Sequence, residues 1–446
     1  MQLKPKARLP VARSPNASVA RRRLMAASCA LLSAGAARSQ SSRLEDTVNE
    51  LLKDWSVDSA LAYYHENGRI QAIEPVVDVS RIYADGSALN FNVTFDALSG
   101  ASPNGALTSH TAQTFASPSG TILTGPHTYT TAPGQLPVDP KYHDQRLAVG
   151  GNWTVPITRT DQLSIGGKLS DEHDFFSATV NASIAHDFND KNTTLSFGVS
   201  NEYDRLSPIG GAPVPGSDYT LFEKTGGKTK DGVAGLLGVT QVMTRNWLTE
   251  FNISVDRFTG YLNDPYKITS IIDSAGGTTG YVYESRPDQR VRKSAYWENR
   301  VAWSSQLSTA LSLRYMSDDW SVRSDTAQLH LRWVWADRDR YIEPTIRWYR
   351  QTEANFYTPF ISGAESSTTG YQSSDSRLGP FHALTYGVKF AKKLAGPGAS
   401  GGSEISVRAE YYQQTYNVRV PVPPGLQGLD LYPGLNAILV QVGWRF

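Results

Sequence analysis

The sequence predicts an all-β fold, a transmembrane antiparallel up-and-down β-barrel of about sixteen strands (fourteen to eighteen), and three observations lead to this class. Apolar and polar residues alternate from residue 59 to the end of the chain. No run of about 18 apolar residues provides a helical membrane span. Every long connection between predicted strands falls on the same side of the sheet. In such a barrel only every second residue faces lipid, which agrees with the negative mean hydropathy.

The last predicted strand keeps this alternation up to the terminal carboxylate. Its large apolar residues share one face: Ile438, Val440, Val442, Trp444 and Phe446. Chain ends are normally polar and frayed, so this face predicts a strand that is zipped into a buried sheet or faces lipid. A terminal aromatic after such a strand resembles the assembly signal of bacterial outer-membrane barrels. Val442, Trp444 and Phe446 are the candidate signal for the barrel-assembly machinery.

Composition narrows the class of protein further. The 446 residues carry 43 Lys and Arg against 42 Asp and Glu, a net charge of +1, and this balance argues against a nucleic-acid partner held by phosphate contacts. Cys occurs once and Met four times, as suits an exported protein.

Three segments follow from the pattern along the chain. Residues 1–37 predict a cleaved signal peptide, with Arg21 to Arg23 before an apolar run and small residues after it. A start at Met25 or upstream, and a twin-arginine export route, remain open. Residues 38–58 predict a periplasmic segment with a short helix, since apolar residues recur there at helical spacing. We expect residues 59–446 to form the barrel, which lies in the bacterial outer membrane in contact with its lipid.

The predicted connections differ in length between the two ends of the barrel. Short connections lie at about 81–86, 157–161, 188–191, 244–246, 304–306, 335–339 and 394–403. Loops longer than about fifteen residues lie at the other end, at about 98–144, 204–230, 260–290 and 351–381, with a Pro-rich loop before the last strand. Outer-membrane barrels have short periplasmic turns and long extracellular loops.

Several sequence elements in a fixed order resemble a family. They are the stretch from Tyr63 to Pro75, Phe95-Asp96-Ala97-Leu98-Ser99-Gly100-Ala101-Ser102-Pro103-Asn104-Gly105-Ala106, Leu136 to Pro140, and Gly210 to Pro215. Together they resemble a domain-of-unknown-function family of bacterial outer-membrane β-barrels. The resemblance implies a fold and a location but no activity. It also implies neighbours of the thioredoxin-like and flavin-attaching kinds, and hence a periplasmic redox protein as a partner.

The face opposite the apolar one carries charges, which we expect to line the pore. Acidic candidates lie on the early strands: Glu74, Asp78 and Asp96. Basic candidates lie on strands across the barrel: Arg300, Arg314, Arg332 and Arg347. Charges persist in such a lumen when water surrounds them or opposite charges pair. Opposed walls would set ion selectivity; the alternative is an internal salt-bridge lattice that closes the lumen.

The turn from Gly100 to Gly105 follows Asp96 directly and is rich in small residues. Glycine permits a positive φ and close backbone packing. One hypothesis is that this loop folds inward and constricts the pore, with Asp96 and Asn104 presented to the lumen. The alternative is a tight surface turn that only orders the loop.

Signatures of catalysis are weak, and no cofactor or metal is predicted. The sequence has no Gly-x-Ser-x-Gly motif, and Gly226-Gly227-Lys228-Thr229 lacks the upstream glycine of a phosphate-binding loop. The histidine spacings match no usual metal site. The function that the sequence favours is a channel or transport pore for small solutes. The alternatives are a non-conducting structural sleeve or partner barrel for a redox or export protein and, more weakly, a barrel enzyme acting on lipid.

Overall fold

The computed structural model describes residues 55–117, 128–363, 370–394, 403–418 and 420–446. The predicted signal peptide, and the predicted helix up to residue 54, lie outside the described residues. Among the described residues, no helix has the length and apolar character needed to cross a membrane.

Strands make up nearly all of the regular structure. In chain order they are β1 (Ser56–Glu66), β2 (Gln71–Ile82), β3 (Ala88–Ser99), β4 (Gln113–Ala116), β5 (Thr128–Thr131), β6 (His143–Pro156), β7 (Asp161–Asp171), β8 (Phe175–Phe188), β9 (Thr193–Leu206), β10 (Ala212–Pro213), β11 (Lys224–Thr225), β12 (Lys228–Thr244), β13 (Trp247–Gly260), β14 (Ile268–Ile272), β15 (Thr278–Tyr283), β16 (Gln289–Ala302), β17 (Leu307–Asp318), β18 (Arg323–Val334), β19 (Arg340–Gln351), β20 (Phe360–Ser362), β21 (Phe381–Lys393), β22 (Glu404–Tyr416) and β23 (Leu435–Arg445). Within the described ranges, three single-turn 3₁₀ helices lie in loops: Tyr219–Leu221, Ser376–Leu378 and Pro424–Leu426.

Sixteen of these strands form one closed antiparallel barrel, in the order β1-β2-β3-β6-β7-β8-β9-β12-β13-β16-β17-β18-β19-β21-β22-β23. The barrel closes where β1 pairs with β23, for example Tyr63 with Val440. Beyond the ladder, the backbone of Val57 and that of Phe446 exchange two hydrogen bonds of 2.9 and 3.0 Å. The predicted fold class and strand number are confirmed.

The connections sort by length as predicted. At the end of the barrel that holds the start of β1 and the end of β23, the connections are short: 83–87, 157–160, 189–192, 245–246, 303–306, 335–339 and 394–403. At the opposite end lie five long loops, 100–142, 207–227, 261–288, 352–380 and 417–434. We call these the short-turn end and the long-loop end.

The outer face of the barrel is apolar because each strand alternates with period two. On β9, Leu195, Phe197 and Val199 are exposed, and Phe197 lies between Ile184 of β8 and Leu237 of β12, which are exposed as well. A soluble protein seldom exposes so continuous an apolar surface, whereas a hydrocarbon layer would cover it.

Tryptophans concentrate at the short-turn end of this apolar surface. Trp153, Trp247, Trp303 and Trp333 lie at strand ends or in turns there, each exposed. The indole N–H groups of two of them donate to polar neighbours, Trp247 to Asn299 at 2.8 Å and Trp303 to Thr309 at 2.9 Å. Such a ring of amphipathic aromatics is typical of the boundary between hydrocarbon and water.

The long loops carry small sheets of their own. β4 pairs with β5, β10 with β11, and β14 lies between β15 and β20. The pairing of β14 with β20 is parallel and joins loop 261–288 to loop 352–380. These pairings hold the loops in defined positions at the barrel mouth.

We expect Phe197→Arg to destabilise the barrel by about 2–4 kcal/mol, the usual effect of an arginine on the lipid-facing side near mid-membrane. Urea unfolding in lipid vesicles, followed by heat-modifiable gel mobility, measures this. Ser200→Arg, an inward position on the same strand, is the matched control. Equal stability of the two variants would contradict the assignment of the outer face.

Candidate functional site

An acidic wall lines the inner face of β2, β3 and β6 and continues into the turn after β7. Its members are Glu74, Asp96 and Asp144 on the strands, together with Glu172 and Asp174 in that turn. Arg146 of β6 lies among them: its guanidinium pairs with Asp96, and its Nη2 lies 3.9 Å from Oε2 of Glu74. Five carboxyl groups against Arg146 and the neighbouring Lys168 leave the wall with an excess of acidic groups.

A basic wall lines the inner face of β16 to β19. Two of its arginines are paired with carboxylates near the long-loop end, Arg290 with Asp318 and Arg292 with Asp256. Two are paired nearer the short-turn end, Arg300 with Glu298 and Arg332 with Glu343. Arg314 and Arg347 complete this wall between the paired groups.

The closed topology places these walls opposite each other. β2, β3, β6 and β7 occupy positions 2–5 of the sixteen-strand ring, and β16 to β19 occupy positions 10–13, half the circumference away. Glu74 and Asp96 are the fourth residues from the long-loop ends of their strands, and Arg314 and Arg347 are the fifth residues from theirs. The opposed charges therefore face each other across the lumen in the half nearer the long-loop end.

Arg314 and Arg347 differ from the other arginines of the wall. In the part of the chain that the structure describes, neither guanidinium has an ion-pair or hydrogen-bond partner, and both side chains are exposed. An unpaired charge requires water around it. These two arginines therefore mark a hydrated part of the lumen.

Two other predicted residues, Asp78 and Asn104, form hydrogen bonds with neighbouring residues. Asp78 accepts a hydrogen bond of 2.6 Å from the side chain of Asn90 on β3. Asn104 lies in loop 100–142, where its Nδ2 donates to the Tyr129 hydroxyl and its Oδ1 accepts from the N–H of Ala106, both at 2.9 Å. Asn104 thus fixes the shape of its loop. Its predicted role in a constriction stays a prediction.

All five long loops are joined to one another at the mouth. From loop 100–142, the carbonyl of Asn104 accepts from Ile268 at 2.9 Å, and that of Gly105 accepts from the Ser374 hydroxyl at 2.8 Å. Gly105 has a φ of +97°, and a Cβ there would meet the Ile268 carbonyl oxygen at 2.4 Å.

The other two loops join in the same way. Loop 207–227 bonds to the backbone of Tyr283, and loop 417–434 packs Leu426 on Leu107 and Ile272. The loops start at strands around the whole ring, so they converge over the mouth. We call this assembly the cap.

Buried ion pairs hold the centre of the cap together. Nη2 of Arg286 donates to Glu284 and to Asp375, each at 2.8 Å, and links loop 261–288 to loop 352–380. Arg377 donates to Asp375 at 2.9 Å and to Asp264 at 2.6 Å. The ammonium of Lys267 donates to the carbonyl of Pro103. Three acidic and three basic groups balance, which allows the burial of Lys267, Glu284 and Asp375, whereas the Arg377 side chain is 61% exposed.

These contacts shift the pKa values of two cap carboxyls in opposite directions. Burial alone would raise the pKa of Asp375, but Arg377, Lys267 and Arg286 outweigh burial and hold that pKa well below its ordinary range. Burial raises the pKa of Glu284 from 4.5 to about 7, with Arg286 opposing the rise. Asp375 is therefore the fixed anion of the network and Glu284 its titratable member.

One group of carboxylates has the geometry of a cation site. The oxygens of Asp144, Glu172 and Asp174 lie within 4.8 Å of one another. The Tyr266 hydroxyl donates to Asp174, and Tyr142 donates to Asp144 at 3.4 Å. These tyrosines connect the acidic wall to the cap.

The sequence pattern could have revealed part of what was missed. Arg146 alternates with the outward residues Leu147 and Val149, so periodicity places it in the lumen. The cap residues Glu284, Arg286 and Asp375 lie in loops, where no periodic pattern indicates a partner.

The chain belongs to a family described as a protein of unknown function (DUF3570), whose model matches residues 21–446. This confirms the resemblance to a family of unknown function. No curated protein matches the sequence.

Among solved structures the chain is similar to three outer-membrane proteins. One is a bacterial polysaccharide outer membrane secretin (10% identity, TM-score 0.40, 88% of this chain and 98% of that chain). The second is the outer membrane protein OpdK of Pseudomonas aeruginosa (10%, 0.37, 88% and 100%). The third is the ferric enterobactin receptor PfeA of Pseudomonas aeruginosa (8%, 0.41, 83%), of which the chain spans 55%.

We expect Asp375→Asn to loosen the cap by about 3 kcal/mol, because breaking a buried ion pair leaves its partner uncompensated. Hydrogen exchange of backbone amides in loops 261–288 and 352–380 reports this, while heat-modifiable mobility of the barrel stays unchanged. Asp325→Asn is the control, since Asp325 pairs with Arg350 at the exposed outer rim, where such pairs contribute about 0–1 kcal/mol. Equal protection in both variants would exclude a central role for the network.

The pKa of Glu284 gives the cap a pH dependence. In the closed cap the Glu284 carboxyl stays protonated up to about pH 7. When the cap opens and Glu284 meets water, the carboxyl ionises near its ordinary pKa of 4.5. Between these values the closed form binds more protons, so the free energy of opening falls as pH rises from 4.5 to about 7 and then levels off. Amide exchange, corrected for its intrinsic pH dependence, should show this slope in the parent protein and lose it in Glu284→Gln. The exposed Glu353→Gln in loop 352–380 should retain it; a slope that survives Glu284→Gln would contradict the assignment.

Proposed function

We propose that this protein is an outer-membrane channel for small solutes and that its opposed charged walls set ion selectivity. In this proposal the long-loop end faces the outside of the cell and the short-turn end faces the periplasm. The C-terminal strand, through Val442, Trp444 and Phe446, is the proposed recognition element for the assembly machinery.

The unpaired arginines are the observation that carries the proposal. A salt-bridge lattice that closed the lumen would pair Arg314 and Arg347, as it pairs Arg300 and Arg332. Instead both are exposed on the inner face, half a circumference from the acidic wall. Water is what surrounds such groups, and a hydrated, charged lumen favours permeation by polar solutes.

The cap supports a second candidate function. Its loops are tied by buried ion pairs and by a parallel strand pair, so it is built to hold one arrangement over the mouth. A barrel closed in this way would serve as a sleeve or partner barrel, with a periplasmic or surface redox protein as the proposed partner. Conductance separates the two candidates.

We expect the purified, refolded barrel to give discrete conductance steps in a planar lipid bilayer. Replacing Arg314 and Arg347 together by Ala should lower the anion-to-cation permeability ratio at least about twofold, because two unscreened positive charges leave the lumen. The reversal potential in a KCl gradient measures this ratio.

Arg350→Ala is the matched control for that experiment. Arg350 lies on β19 like Arg347 but on the outer face, over the ring of Trp348, so its removal should leave selectivity unchanged. An unchanged ratio in the double variant would refute selectivity by the basic wall. Silence from a folded barrel would refute the channel and favour the sleeve.

A further inference from the structure

A cavity lies among the long loops beside the acidic wall, to which its lining residues Tyr142 and Tyr266 donate hydrogen bonds. Its volume is about 560 Å³, and residues of loops 100–142, 207–227 and 261–288 line it. Ligand sites for drug-sized molecules have volumes of about 300–1,000 Å³ and mostly apolar walls. This cavity has the size of such a site.

Aromatic side chains form much of the cavity wall. Tyr129, Tyr219, Tyr283 and Phe222 line it, and the first and third of these are buried in a cluster with Phe115 and Ile268. The tyrosine rings contact one another and Phe115 at centroid distances of 5.4–6.4 Å.

Hydrogen bonds fix the tyrosines in place. The Tyr129 hydroxyl accepts from Asn104 at 2.9 Å, and that of Tyr219 accepts from the N–H of Ala116 at 2.8 Å. Rigid aromatic walls of this kind suit a flat ring system, because little side-chain freedom is lost when it binds.

Hydrogen-bond donors are the polar groups left available in this wall. Tyr283 is buried, and in the described part of the chain its hydroxyl has no hydrogen-bond partner. The exposed Lys224 donates to the carbonyl of Ile209 at 3.2 Å, and its ammonium group has three N–H donors.

The acidic groups of the wall are already engaged. Asp139 accepts from Ser117 and from the N–H of Lys141, and Asp264 pairs with Arg377. A ligand that fits would therefore present acceptor atoms.

We propose that this cavity binds a small planar aromatic molecule that carries a carbonyl or similar acceptor oxygen at its edge. The ring system lies between the tyrosines, and the acceptor meets the Tyr283 hydroxyl and the Lys224 ammonium. This goes beyond the proposed channel function, because binding in the loops does not require that the barrel conduct.

The test uses the full protein in lipid nanodiscs, with 7-methoxycoumarin as an uncharged planar probe that carries a carbonyl. Equilibrium dialysis against empty nanodiscs should reveal one saturable site. Naphthalene, a flat probe without an acceptor, should bind at least about fivefold more weakly, the usual effect of one lost hydrogen bond. Uptake equal to that of empty nanodiscs, or equal affinity for the two probes, would overturn the proposal.

Amino-acid substitutions test whether the probe binds in this cavity. Ala101→Trp fills the cavity from loop 100–142 and should abolish saturable binding, whereas Ala310→Trp, on the lumen wall of β17, should leave it intact. Tyr283→Phe and Lys224→Met keep the shape of the wall and should each weaken coumarin binding about fivefold without affecting naphthalene. Unchanged coumarin binding in these two conservative variants would overturn the proposal even if Ala101→Trp disturbed the loops.

Discussion

Every other feature of this molecule depends on the satisfaction of backbone hydrogen bonds in a layer without water. An N–H or C=O group left unpaired in hydrocarbon costs several kcal/mol, so an open sheet edge is not tolerated there. The pairing of β1 with β23 removes both edges. Two backbone hydrogen bonds between Val57, the second residue of β1, and Phe446 extend this pairing to the last residue of the sequence. The terminal aromatic residue is therefore part of the closure itself.

The closed barrel and the period of two along its strands determine which charged side chains face the lumen. Because Leu311 and Leu313 face outward, the period of two makes Arg314 face inward, whether or not a partner lies there. A lumen inside sixteen strands offers such groups water or a partner, and both solutions occur. Arg146 and Arg332 pair with carboxylates on neighbouring strands, whereas Arg314 and Arg347 are exposed and have no ion-pair partner among the described residues. The distribution of paired and unpaired charge across the two walls is thus the property that gives this barrel its electrostatic character.

The same periodicity explains how much could be predicted. Period two and the sorting of loop lengths are local properties, and they were enough for the fold, the strand number and the inward face of residues such as Glu74 and Arg347. Arg146 was within reach of the same rule. The cap was not, because Gly105, Ile268 and Ser374 meet over separations of more than a hundred residues. Glycine at 105 signals a turn, but only the assembled loops show that Ile268 excludes a larger residue there.

The cap is also connected to the acidic wall and to the aromatic cavity. Tyr266 donates to Asp174 of the acidic wall and follows Asp264, which pairs with Arg377 in the buried network. Lys267, next in sequence, contacts Pro103 in the loop that contributes Ala101 to the aromatic cavity. Adjacent residues on one short segment therefore contact the acidic wall, the ion-pair network and the wall of the cavity. A displacement of this segment would change all three at once, since a packed polar network moves between discrete arrangements and does not deform continuously. The segment 264–267 is therefore the place where the acidic wall, the ion-pair network and the cavity wall are joined.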